Sequence, residues 1–145
     1  IKKMANRTVY VSKNGNSGNL KLRDSEGHNP NSDDLETDVE SGDVVTWVKD
    51  PDASGPNSIY SIESITFSPE NPGPPIRYRD STPVLYQMID GVKTVNGNAK
   101  KVGGVMTGYV DSGIASGKIE YYQIGYKEVE NGPTLTDDPR LKMTT

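Results

Sequence analysis

The stretch at residues 41–50, SGDVVTWVKD, limits the fold of this chain more than any other. It opens with a Gly-Asp turn and continues into consecutive β-branched residues and the only tryptophan, Trp47. Such residues favour strands, and a single large aromatic within an apolar run is typical of a core anchor. We therefore predict a central strand, with Trp47 buried between two sheets. The neighbours expected around it are Val45, Ile65, Tyr122 and Ile124.

Turn signals divide the rest of the chain into short β segments. Residues 7–12 (RTVYVS) alternate as a strand does, and residues 20–23 (LKLR) follow an Asn-Gly turn, which predicts a hairpin. No stretch of ten residues shows helical periodicity with caps. Further strands are predicted at residues 35–39, 44–48, 58–67, 83–89, 92–95, 101–110, 117–126 and 134–144. This pattern favours an all-β fold, a Greek-key β-sandwich, with residues 7–145 as a single domain.

Three segments depart from a regular strand pattern. Gly103, Gly104 and Gly108 weaken the strand at 101–110 and indicate a bulge or close backbone packing. Residues 1–6 are expected to form a flexible leader, and residues 68–83, with five of the ten prolines, a long irregular loop. Residues 58–67, by contrast, alternate strictly, which places Ile65 on the face opposite Ile62.

Composition and charge exclude several classes of function. The net charge of -4 disfavours nucleic acid as a partner. No apolar run approaches the roughly 18–20 residues that span a bilayer, so we expect no membrane insertion. The absence of cysteine removes disulfides, thiolate catalysis and zinc–thiolate sites. It leaves the compartment open, and we favour an extracellular or cell-surface location over the cytoplasm.

Two segments resemble the cupredoxins, the small copper-binding β-sandwiches. SGDVVTWV at residues 41–48 is similar to the family's Gly-Asp strand with its aromatic residue, and GKIEYYQI at 117–124 is similar to the strand before the last copper ligands. Their order and spacing fit, so the resemblance spans most of the chain and implies a cupredoxin- or immunoglobulin-like sandwich. Gln123 stands where the family has its cysteine, and no histidine follows Trp47. Blue copper needs a thiolate and two imidazoles, so the resemblance implies the scaffold without its metal.

The sharpest local motif is the loop that begins at Asp50. Asp50, Asp52, Ser54 and Gly55 reproduce the first half of a calcium-binding loop, with oxygen ligands at positions 1, 3 and 5 and glycine at position 6. Position 12, where such a loop has a bidentate glutamate, is Ser61. The alternative is a plain turn built from Asp, Pro and Gly. Calcium is the one cofactor that the sequence admits.

No catalytic constellation accompanies these features, and we do not expect an enzyme. The lone His28 lies in a polar loop without a serine or cysteine partner pattern. Tyr121, Tyr122 and Tyr126 offer rings that stack on sugars, but alternation places Tyr122 and Tyr126 on one face and Tyr121 on the other. At least one of these two sets is therefore expected in the core.

Two classes of function remain. The first is a non-catalytic structural or interaction protein that self-assembles through strand edges into a homo-oligomer or filament, as in a coat or an inclusion body. The N-terminal strand is regular and lacks proline and glycine, so it is the predicted contact between protomers. The predicted contact residues are Thr8, Val9, Tyr10 and Val11. The second class is a calcium- or carbohydrate-binding sandwich module.

Overall fold

The computed structural model of the chain describes residues 5–15, 19–68, 83–112, 114 and 116–144, which form twelve strands in two sheets and one short 3₁₀ turn. The larger sheet contains β1 (Asn6–Lys13), β2 (Leu20–Asp24), β4 (Val44–Lys49), β6 (Leu85–Ile89), β7 (Val92–Thr94), β8 (Lys100–Val102) and β9 (Val105–Val110). The smaller sheet contains β3 (Glu36–Val39), β5 (Ser61–Phe67), β10 (Ile119–Lys127), β11 (Leu135–Asp137) and β12 (Arg140–Met143).

The two sheets face each other as a sandwich, which confirms the predicted all-β fold. The larger sheet has the order β2-β1-β4-β9-β6-β7, with β8 also on β9. The smaller sheet has the order β11-β10-β12-β3, with β5 also on β10. Both sheets are mixed, because β1 runs parallel to β4 and β3 runs parallel to β12. The described residues include no helix of a length and hydropathy that would let it cross a bilayer.

The core lies between β4 and β10, the central strands of the two sheets. Trp47 is 1% exposed, and its ring meets that of Tyr122 edge-on. The other side chains expected around Trp47 are buried in the same cluster, namely Val45, Ile65 and Ile124. The predicted burial of the tryptophan is therefore confirmed. Tyr122 and Tyr126 also face the core, whereas Tyr121 is half-buried on the other side of β10.

Two local predictions are wrong, and each has a physical reason. A bulge between β5 and β10 pairs Ile65 with Ile124 and Ile62 with Tyr126, so both isoleucines of β5 point inward. Gly103 and Gly104 do not form a bulge within one strand. Both have positive φ, +59° and +83°, and they form the tight turn between β8 and β9. The alternative of close packing is confirmed at Gly108, where a Cβ would lie 3.2 Å from the Trp47 ring and 3.3 Å from the Leu85 side chain.

The structure describes only small parts of the predicted N-terminal leader and of the predicted proline-rich loop. β1 begins at Asn6, and the carbonyl of Ala5 accepts a hydrogen bond from the N–H of Val44, so the sheet starts within the expected leader. Residues 1–4 lie outside the described residues. The same holds for residues 69–82, which make up nearly all of the predicted proline-rich loop.

Candidate interaction surface

The N-terminal strand is not an edge of its sheet. β1 is paired on both sides, antiparallel with β2 and parallel with β4. Val9 and Val11 are buried in the core, while Thr8 and Tyr10 are half-buried on the outer face. The premise that these four residues offer unpaired backbone groups to another chain is therefore wrong. Pairing with β4, a strand well separated in sequence, supplies the partner that local sequence patterns do not show.

The edge of the larger sheet at β2 is closed by loops. The outward N–H groups of this strand belong to Leu20, Leu22 and Asp24. They donate to the Asp137 carboxylate at 3.2 Å, the Ser32 carbonyl at 3.0 Å and the His28 carbonyl at 3.0 Å, respectively. An incoming strand would have to displace all three bonds before it could pair with β2.

Both edges of the smaller sheet are occupied as well. On β3, the N–H of Asp38 donates to the Glu26 carboxylate at 3.1 Å. On β5, the N–H of Phe67 donates to the Asn98 side-chain oxygen at 3.0 Å, and the carbonyl of Ile65 accepts from the N–H of Ala99 at 3.0 Å. The segment that connects β7 to β8 therefore covers the end of β5.

The side of the larger sheet formed by β7 and β8 is different. We call it the hairpin edge, residues 87–95 and 100–105, and no residue in it is buried. It holds six of the eight exposed large hydrophobic residues in the described part of the chain. These six are Met88, Ile89, Val92, Val95, Val102 and Val105. Clustered exposed apolar residues mark interaction sites more often than scattered ones do.

Two tight turns organise the hairpin edge. Asp90 and Gly91, with φ of +52° and +78°, connect β6 to β7, and Gly103-Gly104 connects β8 to β9. Such turns match the right-handed twist of the strands, so both hairpins are well defined. β6 and β8 both run antiparallel to β9, so the two turns lie at the same end of the sheet. Apolar residues stand directly before and after each turn.

Sequence reasoning missed this surface, although a signal for it exists. The segments Ile-Asp-Gly-Val at 89–92 and Val-Gly-Gly-Val at 102–105 each place a turn dipeptide between two apolar residues. Short hairpin arms can bury such residues only against a neighbouring element. Nothing in the local sequence indicates that these residues stay exposed in the fold.

The loop after β2 brings together Asp24, Glu26 and His28, whose ligand atoms lie within 4.8 Å of one another. Other protein groups already use these atoms: Asp24 accepts from the Thr37 hydroxyl at 2.9 Å and contacts His28 Nδ1 at 2.8 Å, and Glu26 pairs with Arg7. The hydrogen bond to Asp24 raises the pKa of His28, and burial raises the pKa of Glu26. The cluster joins β2 to β3 as a polar seam. His28 is therefore held by a side-chain contact, although it lies in a loop.

The predicted calcium ligands Asp50 and Asp52 both accept hydrogen bonds from Arg23. Both oxygens of Asp50 accept from Arg23, at 2.7 and 2.8 Å, and Asp52 accepts from the same guanidinium at 3.1 Å. The bond from Arg23 lowers the pKa of Asp50. Ser54 precedes the 3₁₀ turn (Gly55–Asn57) and its side chain makes no capping bond there. A cation in this loop would have to compete with Arg23.

Glu120 is a buried carboxyl group that the sequence analysis did not identify. Glu120 is 2% exposed and points inward from β10, where its Oε1 accepts from the N–H of Val84 at 2.6 Å. Its Oε2 has no hydrogen-bond partner among the residues that the structure describes. Burial raises the pKa of Glu120 to about 7. No nucleophile or second acid stands beside it among the described contacts, so we assign it no chemistry.

No protein-family model matches this sequence, and no curated protein matches it. The resemblance to the cupredoxins therefore stays a prediction. The two segments that carry it, residues 41–48 and 117–124, supply the central strands β4 and β10, where any sandwich needs apolar and aromatic residues.

Proposed function

We propose that this chain is a non-catalytic structural or interaction protein that self-associates through a strand edge, as the subunit of a filament, a coat or an inclusion body. The observation that carries the proposal is the contrast among the sheet edges. Loops and carboxylates occupy outward groups of β2, β3 and β5, whereas the hairpin edge holds six of the eight exposed large apolar residues in the described part of the chain. Monomers protect their edges, so the remaining edge supports a contact with another chain.

The backbone at the hairpin edge suits strand addition. Among the described strands, β7 is the last in its sheet. Ile89 and Val92 flank the two-residue turn and pair with each other, so the N–H and C=O groups of Lys93 point away from β6. A surface of a second copy that offers hydrogen-bonding groups can bond to these groups and cover the neighbouring apolar side chains; β-augmentation is the form of such a contact that two strands make.

The test is the size of the protein as a function of its concentration, measured by size-exclusion chromatography with light scattering and followed by negative-stain microscopy. We expect ordered assemblies to grow with concentration. Val92→Ser should weaken assembly, while Val129→Ser is the matched control. Both valines are 62% exposed, and Val129 lies outside the hairpin edge, between β10 and β11.

Two outcomes would count against the proposal. A native chain that stays monomeric at millimolar concentration removes self-assembly, and the calcium- or carbohydrate-binding module then takes its place. If Val129→Ser weakens assembly as much as Val92→Ser, the contact is not at the hairpin edge. Circular dichroism of both variants shows whether the fold is intact.

A further inference from the structure

We infer that the subunits join head to tail, with the hairpin edge of one copy docked on an acidic edge of the next. This inference rests on the proposed self-association and adds its partner surface. The acidic edge comprises residues 24–43, which include β3 and the loops on either side of it. Charge, shape and position on the sandwich each support the pairing.

The hairpin edge is basic although the chain as a whole is acidic. It carries Lys100 and Lys101 together with Lys93, which pairs with Asp111 outside the edge, and Asp90 is its only carboxylate, in a chain whose net charge is -4. In the described part of the chain, neither Lys100 nor Lys101 forms an ion pair, and the Lys100 ammonium donates to the Met88 carbonyl at 2.9 Å. Both lysines are exposed. A partner surface rich in carboxylates would match them.

The acidic edge is the most acidic part of the sequence. Eight carboxylates lie between residues 24 and 43, and no lysine or arginine interrupts them. Two arginines from other strands reach this region: Arg7 pairs with Glu26 and Asp43, and Arg140 pairs with Asp34 and Glu36. The carboxylates still outnumber the basic side chains that contact them, even with His28 counted as charged.

The acidic edge also contains a concave surface. A groove of about 360 Å³ lies between the loop that contains His28 and strand β3. Its lining includes Pro30 and Leu35 together with Asp34 and Asp38. The groove therefore combines apolar walls with negative charge, which suits hairpin tips that combine valine and isoleucine with lysine.

The two surfaces lie on opposite sides of the sandwich. On one side, the Thr37 hydroxyl of β3 donates to Asp24 of β2, which joins the two strands where the acidic edge lies. On the other side, Ala99, just before β8, donates to Ile65 of β5. One copy can thus offer its hairpin edge to a second copy while its acidic edge receives a third.

Charge decides between this arrangement and a two-fold dimer. A two-fold contact between hairpin edges would bring the lysines of both copies together, and like charges at an interface oppose binding. A head-to-tail contact brings lysines to carboxylates and leaves one free surface of each kind at the ends. Repetition of such a contact yields a ring if the rotation closes, and a filament if it does not.

The test is a charge exchange between two surface positions, Lys101 and Asp38. Lys101→Glu places a carboxylate opposite the acidic edge, and Asp38→Lys places a lysine opposite the hairpin edge. We expect each variant alone to associate about tenfold more weakly than the native chain, and an equimolar mixture to recover the native affinity. Recovery follows because every junction in an alternating chain again joins opposite charges. Association of the native chain should also weaken as the salt concentration rises.

Cross-linking gives an independent readout in a chain without cysteine. Val92→Cys on the hairpin edge and Asn29→Cys in the groove each introduce the only thiol. After oxidation with diamide, a mixture of the two variants should give a dimer that contains one chain of each, and Val92→Cys alone should give none.

The outcomes separate this inference from the function on which it rests. If the native chain assembles, but Asp38→Lys has no effect and Val92→Cys cross-links with itself, the contact is two-fold and the head-to-tail inference falls while self-association stands. If the native chain never assembles, both fall. Circular dichroism and thermal melting of each variant identify any that fails to fold, and the cross-linking pair then decides.

Discussion

The indole N–H of Trp47 donates a hydrogen bond to the hydroxyl oxygen of Tyr122, with an N–O distance of 3.1 Å, and the two ring centroids are 5.4 Å apart. Trp47 belongs to β4 and Tyr122 to β10, so this contact joins the central strands of the two sheets. Both polar atoms are buried and lie far from water. The contact therefore fixes how the sheets stack, in addition to filling the core.

Substitutions at these two positions should separate packing from hydrogen bonding. Trp47→Ala removes a fully buried ring and should lower the free energy of unfolding by about 3–5 kcal/mol. Tyr122→Phe keeps the ring and leaves the indole N–H without a partner, which should cost about 1–3 kcal/mol. Urea unfolding followed by circular dichroism measures both. A native tryptophan emission maximum typical of full exposure to water would contradict the core position of Trp47.

The protein should become less stable as the pH rises from about 5 to 8. The pKa of Glu120 is about 7 in the folded chain against an ordinary value of 4.5, so the folded state binds more protons over this range. The difference corresponds to roughly 3 kcal/mol lost at the upper end. Burial also raises the pKa of Asp137 to about 6, and the raised pKa of His28 acts in the same direction.

Glu120→Gln tests the origin of that pH dependence. It should raise the melting temperature at pH 8 and have little effect at pH 5, because only the ionised carboxylate is costly to bury. Glu130→Gln on the exposed β10–β11 connection is the control for loss of one charge. If Glu120→Gln leaves the slope of melting temperature against pH unchanged, another group causes the pH dependence of stability.

Gly97→Ala should destabilise the chain more than Gly117→Ala. Both glycines have positive φ, +76° and +86°, so alanine strains the backbone similarly at each. A Cβ at Gly97 would lie 2.4 Å from the Cβ of Phe67, whereas a Cβ at Gly117 meets no atom of the described residues within 4 Å. The difference between the two melting temperatures thus reports the clash. Equal losses would show that the β7–β8 connection can shift away from Phe67.

Millimolar calcium should leave the melting temperature of the native chain unchanged, and so should EDTA. Arg23 holds both oxygens of Asp50, and a ligand that binds the folded state must stabilise it. Arg23→Met frees the two carboxylates Asp50 and Asp52, and stabilisation by calcium in this variant alone would show that the loop geometry is adequate. A calcium-dependent rise in the native chain would instead establish the loop as a metal site.

The parts of the fold that local patterns determine could be predicted from the sequence. The β1–β2 hairpin, the buried Trp47 and the strand at β10 follow from alternation, turn residues and aromatic content. The inward direction of both Ile62 and Ile65 could not be predicted, because a bulge against β10 changes the alternation. Gly103 and Gly104 fit a bulge and a tight turn equally well until the pairing of β8 with β9 is known.

The open edge of the sheet could not be predicted from the sequence. The N-terminal strand was expected to be such an edge, which is wrong, since its second neighbour, β4, comes from a part of the chain nearly forty residues later. Which edge remains open depends on where loops return, for example the Ser32 carbonyl on Leu22 of β2. Such returns are properties of the tertiary structure, and no local sequence window contains them.

The parallel pairing of β3 with β12 also bears on how the chain reaches its fold. Glu36 and Arg140 stand opposite each other although they are 104 positions apart in the sequence. Contacts this distant in sequence form late and slow the folding of β proteins. During synthesis β3 therefore stays unpaired until β12 has left the ribosome. Like charges at Glu36 and Asp38 oppose pairing between the β3 strands of two nascent chains in that interval, so the charge that we propose for subunit recognition would also limit premature aggregation.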